Sequence, residues 1–98
     1  MDGSYLNSID FVNGKDGWAV GVTVKNQDRT GLVLHSLDGG EKWEQVATGL
    51  KERFFDRVCF YDRSHGWLIA RDNIHYTEDG GETFRTVLSI PPLDKGSE

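Results

Sequence analysis

Residues 36–43 read Ser36-Leu37-Asp38-Gly39-Gly40-Glu41-Lys42-Trp43, and residues 77–84 read Thr77-Glu78-Asp79-Gly80-Gly81-Glu82-Thr83-Phe84. Both stretches follow one pattern, hydroxyl-x-Asp-x-Gly-x-x-aromatic. Its chemistry is that of a tight hairpin. Asp38 and Asp79 are placed to accept hydrogen bonds from backbone N–H groups just beyond them. The Ser36 or Thr77 hydroxyl ties the start of the turn to its own backbone. Gly40 and Gly81 supply a backbone conformation that a Cβ would penalise. Trp43 and Phe84 then anchor the outgoing strand. One such stretch would say little, but two of them raise the question of a repeat.

Working outward from the two turns, the repeat extends over nearly the whole chain. Residues 33–46 align with 74–87 at an offset of 41, pairing Ser36 with Thr77, Trp43 with Phe84 and Val46 with Val87. Residues 9–21, IDFVNGKDGWAVG, align with 58–70, VCFYDRSHGWLIA, at an offset of 49. Here Phe11 meets Phe60, Gly17-Trp18 meets Gly66-Trp67, and Val20 meets Ile69. The change of offset assigns eight extra residues to the first copy, in the polar stretch Thr23–Thr30, which reads as a loop insertion.

Apolar residues within each copy alternate with period two, and no segment carries a helical stripe. The expected strands are 5–12, 17–23, 31–36 and 42–47 in the first copy, and 55–61, 66–71, 73–77 and 83–89 in the second. Pro91-Pro92 ends the last strand, since proline has no N–H for a ladder. A four-stranded antiparallel unit recurring every 40–50 residues or so is the size of a propeller blade. The fold class is therefore all-β, two four-stranded antiparallel β-propeller blades, as part of a propeller or of a propeller completed by oligomerisation. The first blade is assigned to residues 1–49, the second to 50–90, and 91–98 to a flexible tail.

The repeated turn resembles the Asp-box, or BNR, repeat of sialidases and other propellers. The wider pattern, Phe11-x₆-Trp18-Ala19-Val20-Gly21, Gly31-x-Val33-x-x-Ser36 and Asp38-Gly39-Gly40-x-x-Trp43, is similar to the photosystem II assembly and stability factor family. The second copy departs from it at Ala70, Asp72 and Phe84. The resemblance covers roughly residues 6–89. It implies that Ser36, Asp38, Gly40, Trp43, Thr77, Asp79, Gly81 and Phe84 are structural. It also implies a protein-holding propeller in which an arginine-bearing surface takes part.

The 98 residues carry 11 Lys and Arg against 16 Asp and Glu, a net charge of −5. That balance argues against a nucleic-acid partner, for which a basic face is expected. No run approaches the roughly 18 apolar residues of a membrane span, so no membrane insertion is expected, and no signal peptide is visible at the start. The charge is also segregated. Asp16, Asp38, Glu41, Asp62, Glu78, Asp79 and Glu82 gather at the turn end, against Lys15, Lys42 and Arg63. The opposite, loop end holds Lys25, Arg29, Lys51, Arg53 and Arg71 against Asp28, Glu52, Asp56 and Asp72. Ligand sites of propellers usually lie on such a loop end, and the arginine-bearing surface implied by the resemblance adds Arg57, so Lys25, Arg29, Arg53, Arg57 and Arg71 are the candidate partner-binding residues.

Neither catalytic nor metal-binding residues emerge. The single cysteine, Cys59, excludes a multi-cysteine zinc site, and His35, His65 and His75 do not align as ligands. A lone turn Asp supplies too few oxygens for Ca²⁺. Most carboxylates fall in repeat turns, where a glycosidase pair is not needed to explain them. The expected function is a non-catalytic protein-binding or scaffolding module without cofactor. The alternatives are a fragment of a sialidase-like or other glycoside hydrolase propeller, and a two-blade structural protein that self-assembles. Identical two-blade chains close only even rings, so a homo-oligomer would have four, six or eight blades.

Overall fold

The computed structural model describes residues 3–89. Strands β1 (Gly3–Phe11), β2 (Gly17–Lys25), β3 (Asp28–Ser36) and β4 (Glu44–Gln45) form one antiparallel sheet in chain order. Strands β5 (Arg57–Phe60), β6 (Gly66–Ile69), β7 (Asn73–Thr77) and β8 (Arg85–Ser89) form a second, again in chain order. The described residues contain no helix. The chain is all-β, two four-stranded antiparallel blades.

A single sheet has no interior, so the core lies between the blades. Period two sends Trp18, Val20 and Val33 to one face of the first blade. Val58, Phe60 and Leu68 lie on the face of the second blade that meets it, and Phe55 and Ala70 complete the cluster. The Trp18 indole is sandwiched: its centroid lies 3.7 Å from that of Phe60 and 4.5 Å from that of His35, both rings nearly parallel to it. Such ring pairs contribute about 0.5–1.5 kcal/mol beyond the area they bury.

Side chains of β1 fasten β5, the first strand of the second blade. Ser8 Oγ accepts the Val58 N–H at 3.2 Å, and Asp10 Oδ2 accepts the Phe60 N–H at 2.8 Å. Asn7, displaced by a register shift between Leu6 and Ser8, donates Nδ2 to the Phe55 carbonyl at 2.8 Å. The connector between blades is stapled across the first sheet by two backbone bonds, Gly31 N–H to Glu52 O at 2.8 Å and Phe55 N–H to Gly21 O at 3.0 Å.

Three expectations are corrected. Thr23–Thr30 is not a loop: β2 and β3 run through it, pairing as far as Lys25 with Asp28. Only Asn26 and Gln27 turn, with φ of 52° and 73°, the doubly left-handed arrangement of a two-residue hairpin. Polar residues suit this arm because it projects beyond the core. The fourth strand of the first copy, expected over 42–47, shrinks to Glu44–Gln45. Trp43 is drawn back by its indole bond to Gly40 O, and Val46 N–H reaches Val33 O alone. The first strand of the second copy, expected from residue 55, begins at Arg57 because the Phe55 amide is spent on the other blade. The expected tail, 91–98, lies outside the described residues.

Candidate functional site

At the turn end, each hydroxyl-x-Asp-x-Gly stretch closes on itself. Ser36 Oγ donates to Asp38 Oδ1 at 2.9 Å and accepts the Gly40 N–H at 2.9 Å, and Asp38 Oδ1 also accepts the Lys42 N–H at 2.9 Å. The second copy repeats these bonds with Thr77, Asp79, Gly81 and Thr83, and adds one from the Thr83 hydroxyl to Asp79. Gly39-Gly40 and Gly80-Gly81 all have positive φ, between 74° and 98°. Each turn leans on its neighbour: Gly39 N–H bonds Lys15 O at 3.0 Å and Gly80 N–H bonds Ser64 O at 2.9 Å.

These donors stabilise the charged carboxylates. The Lys42 N–H, and then the Ser36 hydroxyl, hold Asp38 below its ordinary range. The Thr83 hydroxyl and N–H, with the Thr77 hydroxyl, bring Asp79 down to about 2 from 3.8. A carboxylate depressed in the folded state contributes stability that is complete above its unfolded pKa and lost as pH falls through the folded one. Stability is thus expected to decline as pH falls from 4 to about 2, the window set by Asp79. Asp79→Asn is expected to lower the denaturation midpoint at pH 7 and to flatten its fall between pH 4 and 2. Denaturant titration followed by circular dichroism across that range measures both effects.

Where the blades meet at this end, Arg63 Nε pairs with Asp16 Oδ2 at 3.3 Å. The two line an open cleft of about 510 Å³ with His35, Asp79 and Glu82. Burial lowers the His35 pKa, which favours its neutral form.

At the loop end the candidate cations are only partly brought together. Arg57 opens β5 and faces Ile69 across the ladder, while Arg71 follows Ala70 in the β6–β7 hairpin. The register therefore places both guanidinium-bearing residues around one cleft of about 590 Å³, with Asp56, Asn7 and Ser8. Neither arginine forms an ion pair among the described residues. Lys25 and Arg29 pair with Asp28 and Val24 respectively, so alternation sends them to opposite faces of the arm and into different clefts. Arg53 is exposed in the connector and lines none of these clefts.

One polar cluster has no trace in the repeat. Buried His75 meets Glu52 Oε2 through Nε2 at 2.6 Å and the Thr86 hydroxyl through Nδ1 at 2.9 Å, and Asn73 Nδ2 donates to the same Glu52 oxygen at 2.8 Å. It anchors the connector to the second blade. Its signal is weak in sequence because His75 aligns with Leu34 and Glu52 lies in the connector. The three tryptophans, equivalent by type, part in space: Trp18 is core, whereas Trp43 and Trp67 are half-buried. Cys59 is an exposed free thiol. Among the described residues no group of three or more His, Cys, Asp or Glu converges as a metal site, and no helix is long and apolar enough to cross a membrane.

These features define the chain as a pair of β-propeller blades with a paired-arginine cleft at one end. No protein-family model matches it, and no curated protein does. Among solved structures it is similar to one described as YCF48 bound to D1 peptide, with a TM-score of 0.72 and 24% identity, covering 99% of this chain and 29% of that one. It is also similar to YCF48 from Cyanidioschyzon merolae, with a TM-score of 0.65 and 30% identity, covering 94% of this chain and 26% of that one. The chain spans less than a third of the length of either.

Proposed function

We propose that this chain is a non-catalytic propeller module that binds a protein segment, in the manner of a photosystem assembly factor, and that the Arg57–Arg71 cleft receives it. The observation that carries the reading is the presence of two arginines around one cleft at the loop end, neither in an ion pair among the described residues. Arginine forks bind carboxylates in bidentate geometry, which suits an acidic side chain or a chain terminus. The likeness to YCF48, one of whose structures holds a D1 peptide, supports a peptide as the ligand class. Asp38 and Asp79, the carboxylates a hydrolase reading would recruit, are engaged by their own turns.

The test is fluorescence anisotropy with a labelled D1 peptide. Arg57→Glu with Arg71→Glu is expected to weaken binding tenfold or more, whereas Arg53→Glu, outside the cleft, changes it less than twofold. Equal affinity of the double variant and the parent would overturn the cleft assignment. Absence of binding by the parent would overturn the peptide-binding reading.

A further inference from the structure

The repeat relates the two ends of the blade pair to the junction at its centre. At that junction the first blade presents Trp18, Val20, Val33 and His35, and the second presents Phe55, Val58 and Phe60. The counterparts of the first set are Trp67, Ile69, Ile74 and Tyr76, on the outer face of the second blade. Those of the second set are Leu6, Ile9 and Phe11, on the outer face of the first. The chain thus carries both halves of its own blade junction a second time, on opposite ends.

Burial separates the used halves from the unused ones. Phe55, Val58 and Phe60 are 1%, 5% and 5% exposed, whereas Leu6, Ile9 and Phe11 are 56%, 57% and 37% exposed. Trp18 is buried, and Trp67 is only half-buried. The local shapes match as well. Phe11 lies over Gly17 as Phe60 lies over Gly66: a Cβ on either glycine would fall within 2.5 Å or so of the ring. Trp67 packs beside Tyr76 at 5.1 Å and Tyr61 at 5.5 Å, forming an aromatic plate where Trp18 and His35 form one in the first blade.

We propose that a second copy of this chain docks head to tail, with Trp67 of one copy against Phe11 of the next. The contact continues the geometry of the internal junction and uses unlike faces on the two partners, so it is heterologous and closes by rotation into a ring. Three hydrogen-bonding positions differ, the first being Asp56, a carboxylate where Asn7 donates to the Phe55 carbonyl. Arg57 and Cys59 stand where Ser8 and Asp10 accept backbone N–H groups at the internal junction. The contact between copies therefore lacks those three bonds and is weaker than the internal one, which makes assembly reversible and dependent on concentration.

The test is the molar mass of the full chain by light scattering and sedimentation over a hundredfold range of concentration. The expected result is two, three or four times 11.0 kDa at the upper end, falling toward one chain on dilution. Phe11→Asp and Trp67→Asp each remove one face and are expected to stay at one chain. An equimolar mixture of the two is expected to form a two-chain species, because each retains the half the other has lost. A single-chain mass for the parent at every concentration would overturn the proposal and leave these faces to further blades or a different partner. Failure of two folded variants to pair would overturn it too. Should either variant unfold, hydrogen exchange of the parent decides. Protection of residues 6–11 and 67–76 that rises with concentration supports the proposal, and protection independent of concentration overturns it.

Discussion

Trp18→Ala is expected to cost about 3–5 kcal/mol, the range for deleting a large aromatic from a packed core. The indole is 1% exposed and lies between two rings. Its Nε1 is buried without a hydrogen-bond partner among the described residues, so it acts through shape and area. A small domain holds about 5–15 kcal/mol in all, and this side chain joins the two blades by stacking on Phe60. Denaturant titration by circular dichroism should show a large fall in the midpoint. Trp43→Ala and Trp67→Ala, at half-buried positions, should cost less than half as much. Equal losses for all three would contradict the placement of the core between the blades. Trp18→Phe, which keeps a ring in the stack, should recover a substantial part of the loss.

Gly21→Ala should be comparably severe although it adds one methyl group. A Cβ there would lie 1.8 Å from the Tyr5 carbonyl oxygen and 2.8 Å from the Leu6 Cα, both backbone atoms. No rotamer relieves that contact, so β1 must move away from β2. Overpacking usually costs about 1–3 kcal/mol and more where backbone must shift. Here the movement also disturbs the bond from Phe55 N–H to Gly21 O, which holds the connector. The expected result is a loss of about 3 kcal/mol with early exposure of β1 to hydrogen exchange. The second copy tolerates Ala70 at the same place because its first strand starts later: the ladder ends at Arg57 with Ile69, leaving no strand opposite Ala70. A near-neutral Gly21→Ala would show that β1 is more loosely held than this register implies.

That contrast shows how far the sequence could be read. The repeat disclosed the eight strands and their grouping, because Trp18-Val20 and Val58-Phe60 recur at one spacing and point to one shared core. It obscured the Asn26-Gln27 arm, where both faces of the hairpin meet water and Thr23, Lys25, Asp28 and Thr30 look like loop residues. It could not show which arginines share a cleft. Arg57 and Arg71 meet through the β5–β6 register and the following hairpin, whereas Lys25 and Arg29 part by strand parity. The Glu52–His75 contact was hidden for a different reason, since His75 aligns with the apolar Leu34 and Glu52 lies in the connector, so the pair is not repeated.

The bonds from Val58 and Phe60 to Ser8 and Asp10 also set an order of events. The acceptors sit on β1, and the donors on β5, synthesised some fifty residues later. At about 5–20 residues per second on the ribosome, this interval is long beside hairpin closure in about 1–10 μs. The N-terminal sheet can therefore zip from its two-residue turn before the C-terminal one exists. It then serves as the template on which β5 is laid, its edge and side-chain acceptors already in place. The C-terminal blade in this view inherits its alignment from the N-terminal one, and a chain that exposed β5 first would have nothing to align it.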